Sequence, residues 1–89
     1  MWFNLNVIYT RKNYKIYKVN KGEFIVHNTN KPFNQGHTHI NNFNTAKYLI
    51  SMSLNSLVPK KKLSNYLLES IQRISTDKLY ITKIENLKR

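Results

Sequence analysis

Apolar and polar residues alternate strictly over 3–10. Phe3, Leu5, Val7 and Tyr9 fall on one side and Asn4, Asn6, Ile8 and Thr10 on the other, which is the period of a half-buried strand. Arg11-Lys12-Asn13 reads as a turn. Residues 14–19 and 23–28 are rich in aromatic and β-branched types and flank Asn20-Lys21-Gly22, where glycine supplies the positive φ of a tight hairpin. With Lys21-Gly22 as the two turn residues, Val19 faces Phe24 and Tyr17 faces Val26. That register gathers four apolar side chains on one side, and a slip of one residue would scatter them. The expectation is an antiparallel meander with one packed face.

Residues 29–42 are polar, with a short strand at 37–40 as a candidate fourth strand. The period then changes. Ala46, Leu49, Ile50, Ser53, Leu54 and Leu57 repeat at helical spacing, and so do Leu63, Tyr66, Leu67, Ser70, Ile71 and Ile74. Asn42 or Asn44 suits the first N-cap. Pro59 suits the opening turn of the second helix, and Ser75, Thr76 or Asp77 the cap of a third built on Tyr80, Ile81, Ile84 and Leu87. Residues 79–82 also fit an edge strand less well. The pattern predicts one α+β domain over 1–89. It has a three- to four-stranded antiparallel sheet from an N-terminal meander (1–28), a polar loop (29–42), and two or three C-terminal helices at 43–57, 60–75 and 77–88 packed on one face.

Composition adds a class of partner. Fifteen Lys and Arg stand against four acids, a net charge of +11, with no cysteine. An AT-rich coding sequence would raise Lys, Asn and Ile together, yet it does not account for so few Asp and Glu. A surplus of this size repels itself in a folded chain and points to a polyanionic partner. The lack of cysteine argues against a disulfide framework or thiolate metal site, no apolar run is long enough for a membrane span, and the basic residues after Met1–Tyr9 are in the wrong order for a signal peptide. The expectation is a soluble cytoplasmic protein without a cofactor and without a membrane partner. Size and residue usage are similar to those of accessory proteins of phages and other mobile elements in low-GC bacteria.

Three constellations carry candidate chemistry. Lys60, Lys61 and Lys62 fall in the first turn of the predicted second helix, where the dipole disfavours cations and free N–H groups bind anions. A solvated turn between helices explains them as well. Arg11, Lys12, Lys15, Lys18 and Lys21 interleave with Tyr14 and Tyr17 on the hairpin. In the predicted register Tyr14, Ile16 and Lys18 share an open face with Ile25 and His27, a surface able to stack bases and neutralise phosphates, although tyrosines and edge lysines are ordinary in strands. His27, His37 and His39 are weak metal candidates, since His37 and His39 point the same way on a strand but zinc needs a third protein ligand. The same pair could act as acid and base on RNA. Arg73, with Asn65 and Gln72, could read bases if the helices formed a helix–turn–helix, but the turn holds proline instead of glycine.

No glycine-rich phosphate loop, HExxH motif or carboxylate cluster is present. The resulting expectation is a non-enzymatic nucleic-acid-binding protein, with Lys60–Lys62, Arg11, Lys12, Lys15, Lys18, Tyr14 and Arg73 as the binding set and a homodimer compatible with it. Two alternatives stand beside it. One is an inhibitor that docks on an acidic surface of a larger nucleic-acid enzyme, of the anti-defence type. The other is a small metal-independent ribonuclease or toxin.

Overall fold

The strand-like segments between residues 6 and 40 become a sheet, and the helical period after them packs on it. The computed structural model describes residues 6–88. Its elements are β1 (Asn6–Arg11), β2 (Tyr14–Asn20), β3 (Glu23–Asn28), β4 (His37–Ile40), α1 (Phe43–Asn55), α2 (Asn65–Arg73) and α3 (Lys78–Glu85). The four strands are antiparallel in the order β1-β2-β3-β4, and all three helices follow them, so the chain is an α+β domain with an N-terminal meander. Phe3 and Leu5 lie outside the described residues.

The predicted hairpin register is corrected by a bulge. Asn20 pairs with Glu23 around the turn, where Gly22 has φ 74°, but the next pair is Lys18 with Phe24, which leaves Val19 as the extra residue. Tyr17 therefore faces Ile25, and Ile16 faces Val26. The slip exchanges the two faces of β2: Tyr14 and Ile16 point to the helices, and Tyr17 points away from them. A second irregularity lies between Val7 and Tyr9. Val7 pairs with Tyr17 and Tyr9 with Ile16, so these two fall on opposite faces rather than on one. The physical reason is packing: the position of Ile16 has no solvent exposure, and a wholly aliphatic side chain suits it better than a phenol.

The core joins Ile16, Val26 and Ile40 of the sheet to Ala46, Leu49 and Ile50 of α1, Leu68 and Ile71 of α2, and Tyr80 and Ile84 of α3. Polar groups inside it are satisfied. The Tyr14 hydroxyl and Ser53 Oγ share a bond of 2.8 Å, Ser53 and Ser75 one of 2.6 Å, and Thr38 and Ser70 one of 2.6 Å. Asn28, 1% exposed, donates to the Ile74 carbonyl at 2.9 Å and accepts from Asn13 Nδ2 and the Asn30 amide. This pins the strand end to the end of α2.

Asn42 caps α1, accepting from the Thr45 amide at 2.9 Å, and Asp77 caps α3. α1 stops earlier than predicted, because Ser56 turns left-handed at φ 52° and Leu57 N–H returns to the Met52 carbonyl; Leu57 is left exposed. α2 starts later than predicted, at Asn65. Ser64 accepts from the Leu67 amide, a cap worth about 1 kcal/mol, whereas three lysines in a first turn would oppose the dipole. Residues 57–64 form a linker, and the buried stripe of α2 includes Leu68 while Tyr66 is 54% exposed. Residues 79–82 are helical.

The loop 29–36 is ordered by its own bonds. Asn28 N–H donates to the Gly36 carbonyl, and Gly36 N–H to the Pro32 carbonyl. Gly36 is a close-approach residue, since a Cβ there would lie 2.6 Å from Lys31 Cβ. Lys31 reaches across to α2 and donates to the Arg73 and Ser75 carbonyls at 2.9 and 3.1 Å. Burial, then the Arg73 charge, lowers its pKa. β4 is one edge of the sheet. Two of its carbonyls are taken by α2: Tyr66 hydroxyl donates to His39 O at 2.6 Å and Arg73 Nε to His37 O at 2.9 Å.

Candidate nucleic-acid interface

Pairing determines which side chains share the face turned away from the helices. Tyr17 lies opposite Ile25, Ile25 opposite His39, Lys15 opposite His27, and His27 opposite His37. All of these project on one side, as the two-residue alternation requires. The loop 29–36 lays Phe33 over them.

The rings form a row. Tyr17 and Phe33 meet edge-on at 6.5 Å, Phe33 and His37 stack at 4.3 Å with an 8° interplanar angle, and His37 and His39 meet edge-on at 5.2 Å. Underneath, His27 is in contact with both Tyr17 and Phe33. Its Nε2 donates to the Lys31 carbonyl at 3.1 Å, and its buried Nδ1 has no hydrogen-bond partner among the described residues.

His37 Nδ1 donates to the Phe33 carbonyl at 2.5 Å, because a carbonyl can only accept. Burial lowers its pKa; the Phe33 bond opposes that, and the nearby His39, Arg73 and His27 reinforce it. His39 Nδ1 lies 3.8 Å from Glu23 Oε2, an ion pair when the ring is protonated.

Two adjoining clefts run between β4 and α2. The larger, about 450 Å³, is lined by residues that include Glu23, His39, Asn41, Ser64 and Tyr66. The smaller, about 200 Å³, is lined by His37, His39, Tyr66, Glu69 and Arg73 among others.

The structure divides the predicted binding set. Tyr14 is 5% exposed and belongs to the core, so it is not on the open face. Arg11 and Lys18 pair with Tyr14 and Phe24 and thus point to the helix side, while Lys15 lies on the ring face and Lys12 in the β1–β2 turn. Lys60, Lys61 and Lys62 are exposed in the linker, away from any helix first turn. They line a separate hollow with Leu68 and Leu87, and Lys61 Nζ sits 4.4 Å from the centre of the Tyr48 ring. Arg73 lines the smaller of the β4 clefts, its Nη2 also donating to Asn34 O at 3.2 Å. Gln72 donates to Ile81 O and to the Glu85 carboxylate.

His27, His37 and His39 do come together, but among the described residues no group of three or more His, Cys, Asp or Glu is arranged to hold a metal ion. Phe33, Tyr66 and Glu23 join the site beyond the binding set read from sequence, and the bulge turns Tyr17 to this face instead of the packed one. Phe33 had one usable signal, an aromatic ring isolated in a polar loop just before Gly36 and the histidines.

Among the described residues, Lys88 accounts for the lysine–carboxylate pairs, at 3.0 Å with Glu85 and 3.5 Å with Glu69. Asp77 is used in its cap and Glu23 in contacts with Asn20 and His39. No helix among the described residues is long and apolar enough to cross a membrane. The chain matches no protein-family model, no curated protein and no solved structure.

Proposed function

We propose that the protein binds single-stranded nucleic acid on the ring-bearing face of its sheet, as a cytoplasmic accessory protein. The observation that carries this reading is the row Tyr17–Phe33–His37–His39 on a helix-free face in a chain of net charge +11. Unpaired bases stack on exposed rings, and cations track the phosphates between them. Lys15 on that face, Lys12 in the adjoining turn and Arg73 at the β4 edge supply the nearest cations. Lys60–Lys62 lie in another part of the molecule, and they contribute through the long-range field rather than by contact.

The test is fluorescence anisotropy with a labelled single-stranded oligonucleotide over a range of salt. Binding should weaken steeply, with a log–log slope of about −0.7 for each phosphate neutralised. Tyr17→Ala should weaken it by the value of one stacked base, about 1–3 kcal/mol. Absence of binding at low salt, or affinity indifferent both to salt and to Tyr17, would end the proposal. A nuclease-treated pull-down that retains one stoichiometric protein would favour the inhibitor alternative instead.

A further inference from the structure

We infer that the groove along β4 cleaves RNA, with His37 as general base and His39 as general acid; this deepens the proposed function and rests on it. The two imidazoles leave the same strand on the same side, with ring centres 5.2 Å apart. Both turn Nδ1 toward the protein: His37 donates through it to Phe33 O, and His39 holds it 3.8 Å from Glu23. Nε2 of each ring is the nitrogen left for a substrate.

Their surroundings differ: His37 meets a carbonyl and cationic groups, His39 a carboxylate. With Nδ1–H bound to a carbonyl, neutral His37 carries its lone pair on Nε2. It faces His27 on β3, His39 on its own strand and Arg73 on α2, all of which oppose a second proton. His39 faces the Glu23 carboxylate, which pairs with the imidazolium. Arg73 is anchored through Nε and Nη2, leaving Nη1 outside those two bonds to meet an anion in the groove. Glu69 lines the same groove, and its carboxylate is drawn to Lys88 at 3.5 Å.

The step is an internal transesterification. His37 Nε2 takes the proton of a ribose 2′-hydroxyl, and the 2′-oxygen forms a bond to the adjacent phosphorus. The phosphorus–O5′ bond breaks, and the departing O5′ takes a proton from His39 Nε2. The products are a 2′,3′-cyclic phosphate and a 5′-hydroxyl end, with atoms and electrons balanced and no co-reactant. DNA lacks the nucleophile, so the substrate class is single-stranded RNA. A positioned acid or base of this kind contributes about 10²–10⁴-fold each.

The experiment incubates the full chain, in EDTA, with an end-labelled single-stranded RNA and with the same oligonucleotide bearing 2′-deoxyribose throughout. The expected result is cleavage of the RNA alone, cyclic-phosphate ends by mass spectrometry, and a bell-shaped pH profile. His37→Ala and His39→Ala, purified identically and checked for folding by circular dichroism, should each slow cleavage by about 10²–10⁴-fold and each remove one limb of the profile. RNA left intact by a wild-type chain that binds the 2′-deoxy analogue overturns the cleavage and leaves the binding reading standing. Failure to bind the analogue at low salt overturns the binding reading. Undiminished cleavage by either histidine variant overturns the assignment of that ring.

Discussion

The two faces of the sheet are built from the same strands and follow different rules. On the helix side, Ile16, Val26 and Ile40 join one core with aliphatic residues of the helices, and the polar groups there, Tyr14, Thr38 and Asn28, are each matched by a partner. On the other side, Tyr17, His27 and His37 meet Phe33, and His39 meets His37 and Glu23. One face is held by apolar burial and closed polar bonds. The other keeps rings, titratable nitrogens and a cleft at its edge. In a domain this small, few side chains are left over from stability, so a face that does not use its strands for the core is the natural place for chemistry.

The comparison breaks first at adjacent residues. Ile16→Ala should cost about 2–5 kcal/mol, because it opens a cavity at a fully buried position. Tyr17→Ala, one residue on and on the opposite face, should leave the urea midpoint much closer to wild type while it removes oligonucleotide affinity. Equal loss of stability from the two would erase the distinction between the faces. Asn28→Ala comes next, at about 1–3 kcal/mol, since it removes the shorter of two bonds to the Ile74 carbonyl and leaves the Asn13 side chain without its buried partner. Its effect on binding should be no more than the fraction unfolded explains, checked by comparing denaturation and anisotropy on the same sample.

Gly36→Ala probes the link between the faces. The added methyl would meet Lys31 Cβ at 2.6 Å, and Lys31 is tied to α2, so the loop has to shift, at about 1–3 kcal/mol. Binding should fall along with stability, because the displaced loop carries Phe33. The smallest effect is a slope in pH. The folded state holds His37 below the ordinary imidazole pKa of about 6.5. The unfolded chain therefore binds a proton first on acidification, so this contribution to stability is complete above that value and is lost as pH falls through it toward the folded pKa. His37→Gln should flatten that part of the curve, measured by urea midpoints at several pH values.

Element order and class were legible because local signals differ sharply: alternation up to residue 10, aromatic and β-branched residues in 14–19 and 23–28, and helical spacing in 46–54 and 80–84. The caps were legible only as short sets, Asn42 or Asn44 and Ser75, Thr76 or Asp77, from which the structure uses Asn42 and Asp77. What was hidden depended on tertiary pairing. Val19 looks like any strand valine, and only the competition of Ile16 and Tyr17 for one buried position makes it the bulge. Lys60–Lys62 looked helical because Leu63 continued the stripe, while Ser64 offered the better start. For the site, the histidines were visible as a cluster in sequence, but Tyr66 and Glu23 reach them only across the sheet edge, over separations with no local signature.

The occupied carbonyls of β4 also bear on strand addition. Tyr66 and Arg73 stopper that border of the sheet from the side, so an incoming strand would first have to displace both bonds. Among the described strands β1 forms the other border.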